Sequence, residues 1–235
     1  MIVGETVKDI DINMPRDSYD TGKYMPTFNA YLTVIVRDSK GKVVNVHRQR
    51  SRSPTANFIY LLLPYNYNPQ IIGSMTLTNI SGGTCTYQPQ LTGQARNIVY
   101  PNVNAGAAPP AYLAMIQAGS GQLSNPFNAT SLAAPIANGS GAGQLVYSSI
   151  SSASGVGASG SSAYFQISQT YTNLTSSAIT ITEVGIVVQI YICGATSTGF
   201  VNCGQILVWY DVLSSPISVP GGGSTTIYYT FTVNP

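Results

Sequence analysis

The chain has 235 residues, enough to bury a substantial core, and its net charge of +2 is too small to steer nucleic acid strongly. Charged residues make up 8% of it, against roughly 25% in ordinary soluble domains; Tyr, Gly, Ser, Thr and Asn supply the polarity instead. Such a surface suits packing against other copies, where desolvating charge is costly.

The few charges are segregated. Nine of the ten basic residues lie between Lys8 and Arg52, and six of the eight acids lie between Glu5 and Asp38. From residue 53 onward only Arg96, Glu183 and Asp211 carry charge. The division predicts a charged N-terminal arm over residues 1–27 and one β-sandwich domain over 28–235. Residues 1–20 show no apolar leader, which predicts assembly in the cytoplasm of a host. No stretch reaches the length of a membrane-spanning helix.

In chain order, residues 5–13 read as a strand with Ile10 and Ile12 on one side and Asp9, Asp11 and Asn13 on the other. Asp9, Asp11, Asn13 and Asp20 imitate part of a calcium loop, but Met14-Pro15 stands where that loop needs glycine. Residues 28–37 and 42–48 form a hairpin around Asp38-Ser39-Lys40-Gly41. Arg48, Arg50 and Arg52 follow at alternate positions. They suit phosphate contact with nucleic acid, or a solvated strand edge that discourages edge-to-edge pairing. Ser53-Pro54 reads as a helix cap and first turn, with Phe58–Leu63 as the body and Pro64 as the end. Strands are expected at 71–79, 84–88, 96–100 and 111–118. From 119 to 162 the composition turns to Gly, Ala, Ser and Asn, a long loop region with a strand at 144–150 and a helical turn at Thr130–Ala134.

The last third carries the clearest periodicity. Residues 164–172, 179–192, 205–212 and 226–233 alternate apolar and polar side chains or are apolar throughout. Ile179 and Ile181 occupy odd positions, whereas Val184, Ile186, Val188 and Ile190 occupy even ones. A change of face needs an extra residue, so a β-bulge is expected over 182–185, re-aiming Glu183 and using Gly185 for its unusual backbone angles. Cys193 and Cys203 sit at the ends of neighbouring strands and are expected to form a disulfide, leaving Cys85 over.

Little here resembles chemistry. Gly155–Gly160 matches the GxGxxG pattern, but a strand follows it rather than a helix, so the dinucleotide reading fails. His47 is the only histidine and no GxSxG accompanies it. Glu183 and Asp211 read as buried acids satisfied by backbone donors or by Arg96. No enzyme activity, cofactor or metal site is expected. Asn79, Asn128, Asn138 and Asn173 begin N-x-S/T triplets, which matter only if the protein is exported or displayed.

Several short motifs recur in order: Asn57-Phe58, Gly119-Ser120-Gly121, Leu132, Gln144-Leu-Val-Tyr147, Asn173, and Ile179-Thr-Ile-Thr-Glu-Val-Gly185. Asp211-Val-Leu213, Pro216, Val219-Pro-Gly221 and Tyr228-Tyr-Thr-Phe-Thr-Val233 follow. The arrangement, spanning about residues 30–233, resembles a diffuse group of virion structural proteins of phages and archaeal viruses, capsid- or tail-associated. The resemblance implies self-assembly and no catalytic residues.

The expected fold is all-β, an antiparallel β-sandwich or jelly roll with one short helix. The expected function is that of a structural subunit of a virus particle (capsid, turret, tail or fibre). Its expected partners are further copies of itself, other virion proteins and, through Arg48, Arg50 and Arg52, nucleic acid. The alternative is a subunit of an extracellular cell-surface filament or adhesin built by strand exchange. A third reading is a glycan-binding module using Trp209 and exposed tyrosines.

Overall fold

The structure is a computed structural model describing residues 27–51, 53–62, 75–87, 114–148, 150–152, 157–159, 162–193 and 200–234. The expected strands at 5–13 and 96–100, the calcium-like pattern, Arg52 and Arg96 lie outside these residues. In chain order the described strands are β1 (Thr27–Arg37), β2 (Val43–Ser51), β3 (Met75–Thr78), β4 (Thr84–Tyr87), β5 (Ala114–Gly119) and β6 (Val146–Tyr147). Then come β7 (Ser151–Ser152), β8 (Gly157–Ser159), β9 (Ser162–Thr172), β10 (Ile179–Cys193), β11 (Phe200–Val219) and β12 (Ser224–Asn234). The helix α1 (Ala56–Leu62) separates β2 from β3.

All strand pairing among the described residues is antiparallel, and the fold is an all-β sandwich with one short helix. The larger sheet runs β2-β1-β12-β9-β6, with β7 and β8 also paired to β9; the smaller runs β11-β10-β5, and β3-β4 is a separate hairpin. Alternation builds the larger sheet. Ala30, Leu32, Val34 and Val36 of β1, Ile167 and Tyr171 of β9, and Ile227 and Tyr229 of β12 are buried on its inner face. Thr226, Tyr228 and Thr230 stand on the other face, half-buried.

The smaller sheet is buried on both sides at β10. Glu183, Val184, Gly185, Ile186 and Val187 are all buried, because part of the Gly/Ala/Ser-rich loop lies over one side. Sequence alternation was misleading here: the two apolar sets in β10 are two buried faces, and the strand does not change face. A register break does fall at this place. Ile181 pairs with Ile217 and Glu183 with Val212, so Thr182 alone stands opposite Leu213–Pro216. The extra residues belong to β11, not to β10 as expected.

Gly185 is required for space. Its φ is not in the left-handed region, but a Cβ there would lie 2.6 Å from Leu207 Cδ1, 2.9 Å from the Trp209 carbonyl oxygen and 3.0 Å from Leu132 Cδ2.

Two further breaks in β11 shape its surroundings. Ile186 pairs with Trp209 and Val187 with Leu207, leaving Val208 over. The chain leaving β2 fits against this point: Thr55 N–H donates to the Val208 carbonyl at 3.1 Å and Tyr210 N–H to the Ser53 carbonyl at 2.9 Å. With Ser53 and Thr55 held by β11, the helix begins at Ala56 rather than at Pro54, and its first bonds run from Phe58 and Ile59 N–H to the Thr55 carbonyl. The helical turn expected at 130–134 is likewise displaced, to a 3-10 turn at Pro126–Asn128.

The last break leaves Cys203 over between Asn202 and Gly204, which has φ +82°. The bulge turns Cys203 toward the β3-β4 hairpin, where it is joined to Cys85 with Cα atoms 5.4 Å apart. The expected Cys193–Cys203 bond is therefore incorrect. Cys193 pairs in register with Phe200, three residues from Cys203.

Gly185→Ala is expected to lower stability by about 1–3 kcal/mol through overpacking, because the nearest obstacle besides two leucine methyls is backbone. Urea denaturation measures it; a change within about 0.5 kcal/mol, as at an ordinary surface site, contradicts the packing argument.

Candidate functional site

The most polar places in the core are built around the two acids. Glu183 is fully buried. Its Oε1 accepts from Gly121 N–H at 3.1 Å and Ala134 N–H at 2.7 Å, and its Oε2 from Ala133 N–H at 3.0 Å and the Tyr210 hydroxyl at 2.6 Å. Tyr210 in turn accepts from Leu123 N–H at 2.8 Å. Four donors on one carboxylate offset the cost of burying it. Gly119 and Gly121 leave it room, since a Cβ at Gly119 would meet Oε1 at 2.5 Å and one at Gly121 at 3.0 Å. This carboxylate fastens the loop over 121–134 to β10 and has no open side for a substrate.

Asp211, also buried, joins the two sheets. Its Oδ2 accepts from Ser51 Oγ at 2.5 Å and from the Tyr229 hydroxyl at 2.9 Å. Ser51 Oγ itself accepts from Trp209 Nε1. Trp209 is 4% exposed and packs edge-on against Phe58 and Phe231, so it offers no face for stacking a sugar.

A third polar contact closes the opposite edge. The strand β5 has β10 on one side; on the other, Gln169 and Tyr171 of β9 act as a substitute strand. Ile116 N–H donates to Gln169 Oε1 at 2.7 Å, and the Tyr171 hydroxyl donates to the Ile116 carbonyl. The Tyr147 hydroxyl donates to the Ile136 carbonyl at 2.7 Å. Sequence reasoning missed Ser51, Gln169, Tyr171 and Tyr229 as a group. The available signal was a polar or hydroxyl-bearing side chain at an inner-face position of an alternating strand.

The sequence-predicted residues separate into distinct places. Glu183 and Gly185 lie in the core beside the loop. Arg48 and Arg50 stand on β2, the edge strand of the larger sheet, on either side of Gln49, which bonds to the Val212 carbonyl. Arg48 lies over the Tyr31 ring at 4.9 Å, and Arg50 Nη2 donates to Asn29 Oδ1 at 2.8 Å. Of the N-x-S/T asparagines, Asn173 is fully buried, its Nδ2 donating to the Ser177, Val219 and Pro220 carbonyls. Asn79 Nδ2 donates to the Cys203 carbonyl, whereas Asn128 and Asn138 are exposed.

No family model, curated protein or solved structure matches the chain. The functional reading rests on its own surface. From residue 53 onward the described charged residues are Glu183 and Asp211, both buried. That whole described surface is uncharged. At one end the inner face of the larger sheet runs out from under its cover: Phe28 (53% exposed), Phe165 (41%) and Val233 (39%) surround Phe231. Phe231 stacks on Phe28 and Phe165 with ring centroids 5.9 and 5.3 Å apart. Among the described residues no helix is long and apolar enough to cross a membrane.

The buried tyrosines make stability fall at alkaline pH. Burial pushes the Tyr147 hydroxyl up to about 12. Burial also raises Tyr171 well above its ordinary value, helped by Tyr147; Tyr210 is raised by burial and by its bond to Glu183, and Tyr229 by burial and by the charge of Asp211. Each folded hydroxyl holds its proton more tightly than the unfolded one, so the folded state's advantage is present below about pH 10 and is lost as pH rises beyond it. In an alkaline titration these four should ionise together with unfolding, seen as tyrosinate absorbance tracking the loss of circular dichroism. Ionisation of all tyrosines before any loss of structure contradicts their burial.

Proposed function

We propose that the chain is a structural subunit of a virus particle, acting by self-assembly with other copies and with other virion proteins. The observation that carries this reading is that, from residue 53 onward, the described surface is uncharged. A solitary soluble domain ordinarily relies on dispersed charge to stay apart from its neighbours. A surface of Tyr, Thr, Ser and Asn, with stacked phenylalanines at one end, suits broad contacts in which aromatic residues contribute most and charge is depleted. Both acids beyond residue 52 are occupied by internal hydrogen bonds, which supports a structural rather than a catalytic role. The motif order supports a virion component in particular. Several of its residues pack together: Gly119 and Gly121 against the Glu183 carboxylate, and Leu132 against Gly185, as expected for residues that maintain a fold. A subunit of an extracellular filament is the second reading, favoured by the long exposed edge of β2. A glycan-binding module loses support because Trp209 is buried.

Native assemblies should persist in about 1 M salt, where the screening length is only about 3 Å, because few contacts between subunits are ionic. Light scattering follows this, and electron microscopy separates particles containing nucleic acid from naked fibres. Release of folded monomers by salt alone, or a protein that stays monomeric at high concentration in its native source, contradicts the reading.

A further inference from the structure

We propose that the free edge of β2 receives residues 5–13 of a neighbouring copy as an added antiparallel strand. The proposal deepens the subunit reading and rests on it, since it names the contact by which one copy holds the next.

The edge itself is the first observation. Strand β2 ends the larger sheet, and among the described residues β1 is its one strand neighbour. Its burial pattern over nine residues is exposed for the first four, and Val43, Val44 and Val46 are 42%, 52% and 59% exposed. The first half of this edge is exposed and carries three valines; the second half, His47–Ser51, is polar, is less exposed apart from Arg48, and meets β11 through Gln49. An edge strand with one neighbour is a template for another strand.

Charge then selects the occupant. Residues 37–52 contain Arg37, Lys40, Lys42, Arg48, Arg50 and Arg52 against the single acid Asp38. That acid is engaged in its own turn, accepting from Lys40 and Lys42 N–H at 2.9 Å. Arg48 and Arg50 project from the same side of β2, steadied by Tyr31 and Asn29. A second β2 laid against the first would oppose bases with bases, so a symmetric β2–β2 pair is disfavoured. The complementary strand must be acidic on one side.

The sequence offers such a segment. Residues 5–13 lie outside the described residues; their sequence alternates Asp9 and Asp11 with Ile10 and Ile12, and holds Glu5 against one base, Lys8. Placed antiparallel with Asp9 opposite Arg50 and Asp11 opposite Arg48, it sets Ile10 and Ile12 on the side of His47 and Gln49. There Gln49 Nε2 donates to the Val212 carbonyl and Gln49 Oε1 accepts from Ser214 N–H, each at 2.9 Å, tying β2 to the smaller sheet. Ile10 and Ile12 thus extend the inner face of the sandwich, while Lys8, on the same side, falls beyond them at the Ser51 end. A chain as long as residues 14–26 can span at most about 43–47 Å when fully extended, enough to reach a neighbour. Main-chain hydrogen bonds and the two isoleucines supply affinity, while the charges set partner and register. Molar salt should therefore slow joining without dissolving finished assemblies. The pairing also explains why nearly all the charge lies before residue 53, and assigns Arg48 and Arg50 a protein partner rather than nucleic acid.

The test uses full-length chains carrying two different tags. One bears Asp11→Cys and the other Arg48→Cys; a control replaces the second with Leu174→Cys, at an exposed site away from β2. Under mild oxidation the Asp11→Cys and Arg48→Cys chains should cross-link to each other at least tenfold more than the control pair. The charge-reversed chain Arg48→Glu/Arg50→Glu should lose at least tenfold in rate of assembly by light scattering, and adding Asp9→Arg/Asp11→Arg should restore it. Thermal melts establish that each variant is folded. When both cysteines are placed in one chain, a cross-link that stays within the chain on dilution overturns the proposal in favour of the chain's own arm. Deletion of residues 1–20 that leaves assembly intact also overturns it, while leaving the subunit reading standing. Full-length chains that never assemble overturn the subunit reading itself.

Discussion

The carboxylate of Glu183 is the constraint on which the rest of the molecule depends. A charged group fully inside a protein is tolerable only if donors surround it, and here three are backbone N–H groups from one loop. The loop over 121–134 is poor in large apolar side chains and has little of its own to bury. The carboxylate gives it a fixed seat: Gly119 and Gly121 clear the space, Ala133 and Ala134 supply N–H groups, and Leu132 drops onto Gly185. With the loop seated, β10 is covered on both faces. Removal of the carboxylate would leave four donors, the buried Tyr210 hydroxyl among them, without this acceptor, a larger cost than the loss of one ordinary hydrogen bond.

The same economy of charge appears throughout the interior. Asp211 and Ser51 bind the two sheets where the chain crosses between them, and Gln169 and Tyr171 stand in for a missing strand beside β5. Hydroxyls and amides, rather than ion pairs, hold these joints. They leave the outside free of charge over most of the chain, and an uncharged outside is what a closely packed neighbour requires. The interior solution and the proposed assembly are thus two consequences of one composition. The charged first 52 residues are the exception, and β2 shows where their bases stand: along the one long edge of the larger sheet.

Much of this fold was legible in the sequence. The alternations in β1, β9 and β12 gave both the strands and their inner faces, because each strand has one buried side and period two reports that directly. What failed did so for identifiable reasons. In β10 a second apolar set was read as a change of face, whereas the strand is central and its second face lies under a loop whose composition announces nothing. Cys203 pairs with Cys85, 118 residues away, because a bulge in β11 redirects it; local spacing pointed instead to Cys193. The helix start moved from Pro54 to Ala56 because the edge of β11 claims Ser53 and Thr55, a long-range competition that capping rules do not see. At the candidate site, the burial of Glu183 by backbone donors was anticipated, but the identity of those donors was not, since nothing local marks Ala133 and Ala134 as partners of a residue 50 positions away.

Hydrogen exchange at three backbone amides tests the central claim most directly. If the buried carboxylate seats the loop, the N–H groups of Gly121, Ala133 and Ala134 should exchange as slowly as those in the centre of β10, although none lies in a strand. Exchange at the rate of the exposed turn at Ser39–Gly41 would show that the loop is held by something else, and the account of Glu183 as its anchor would be wrong.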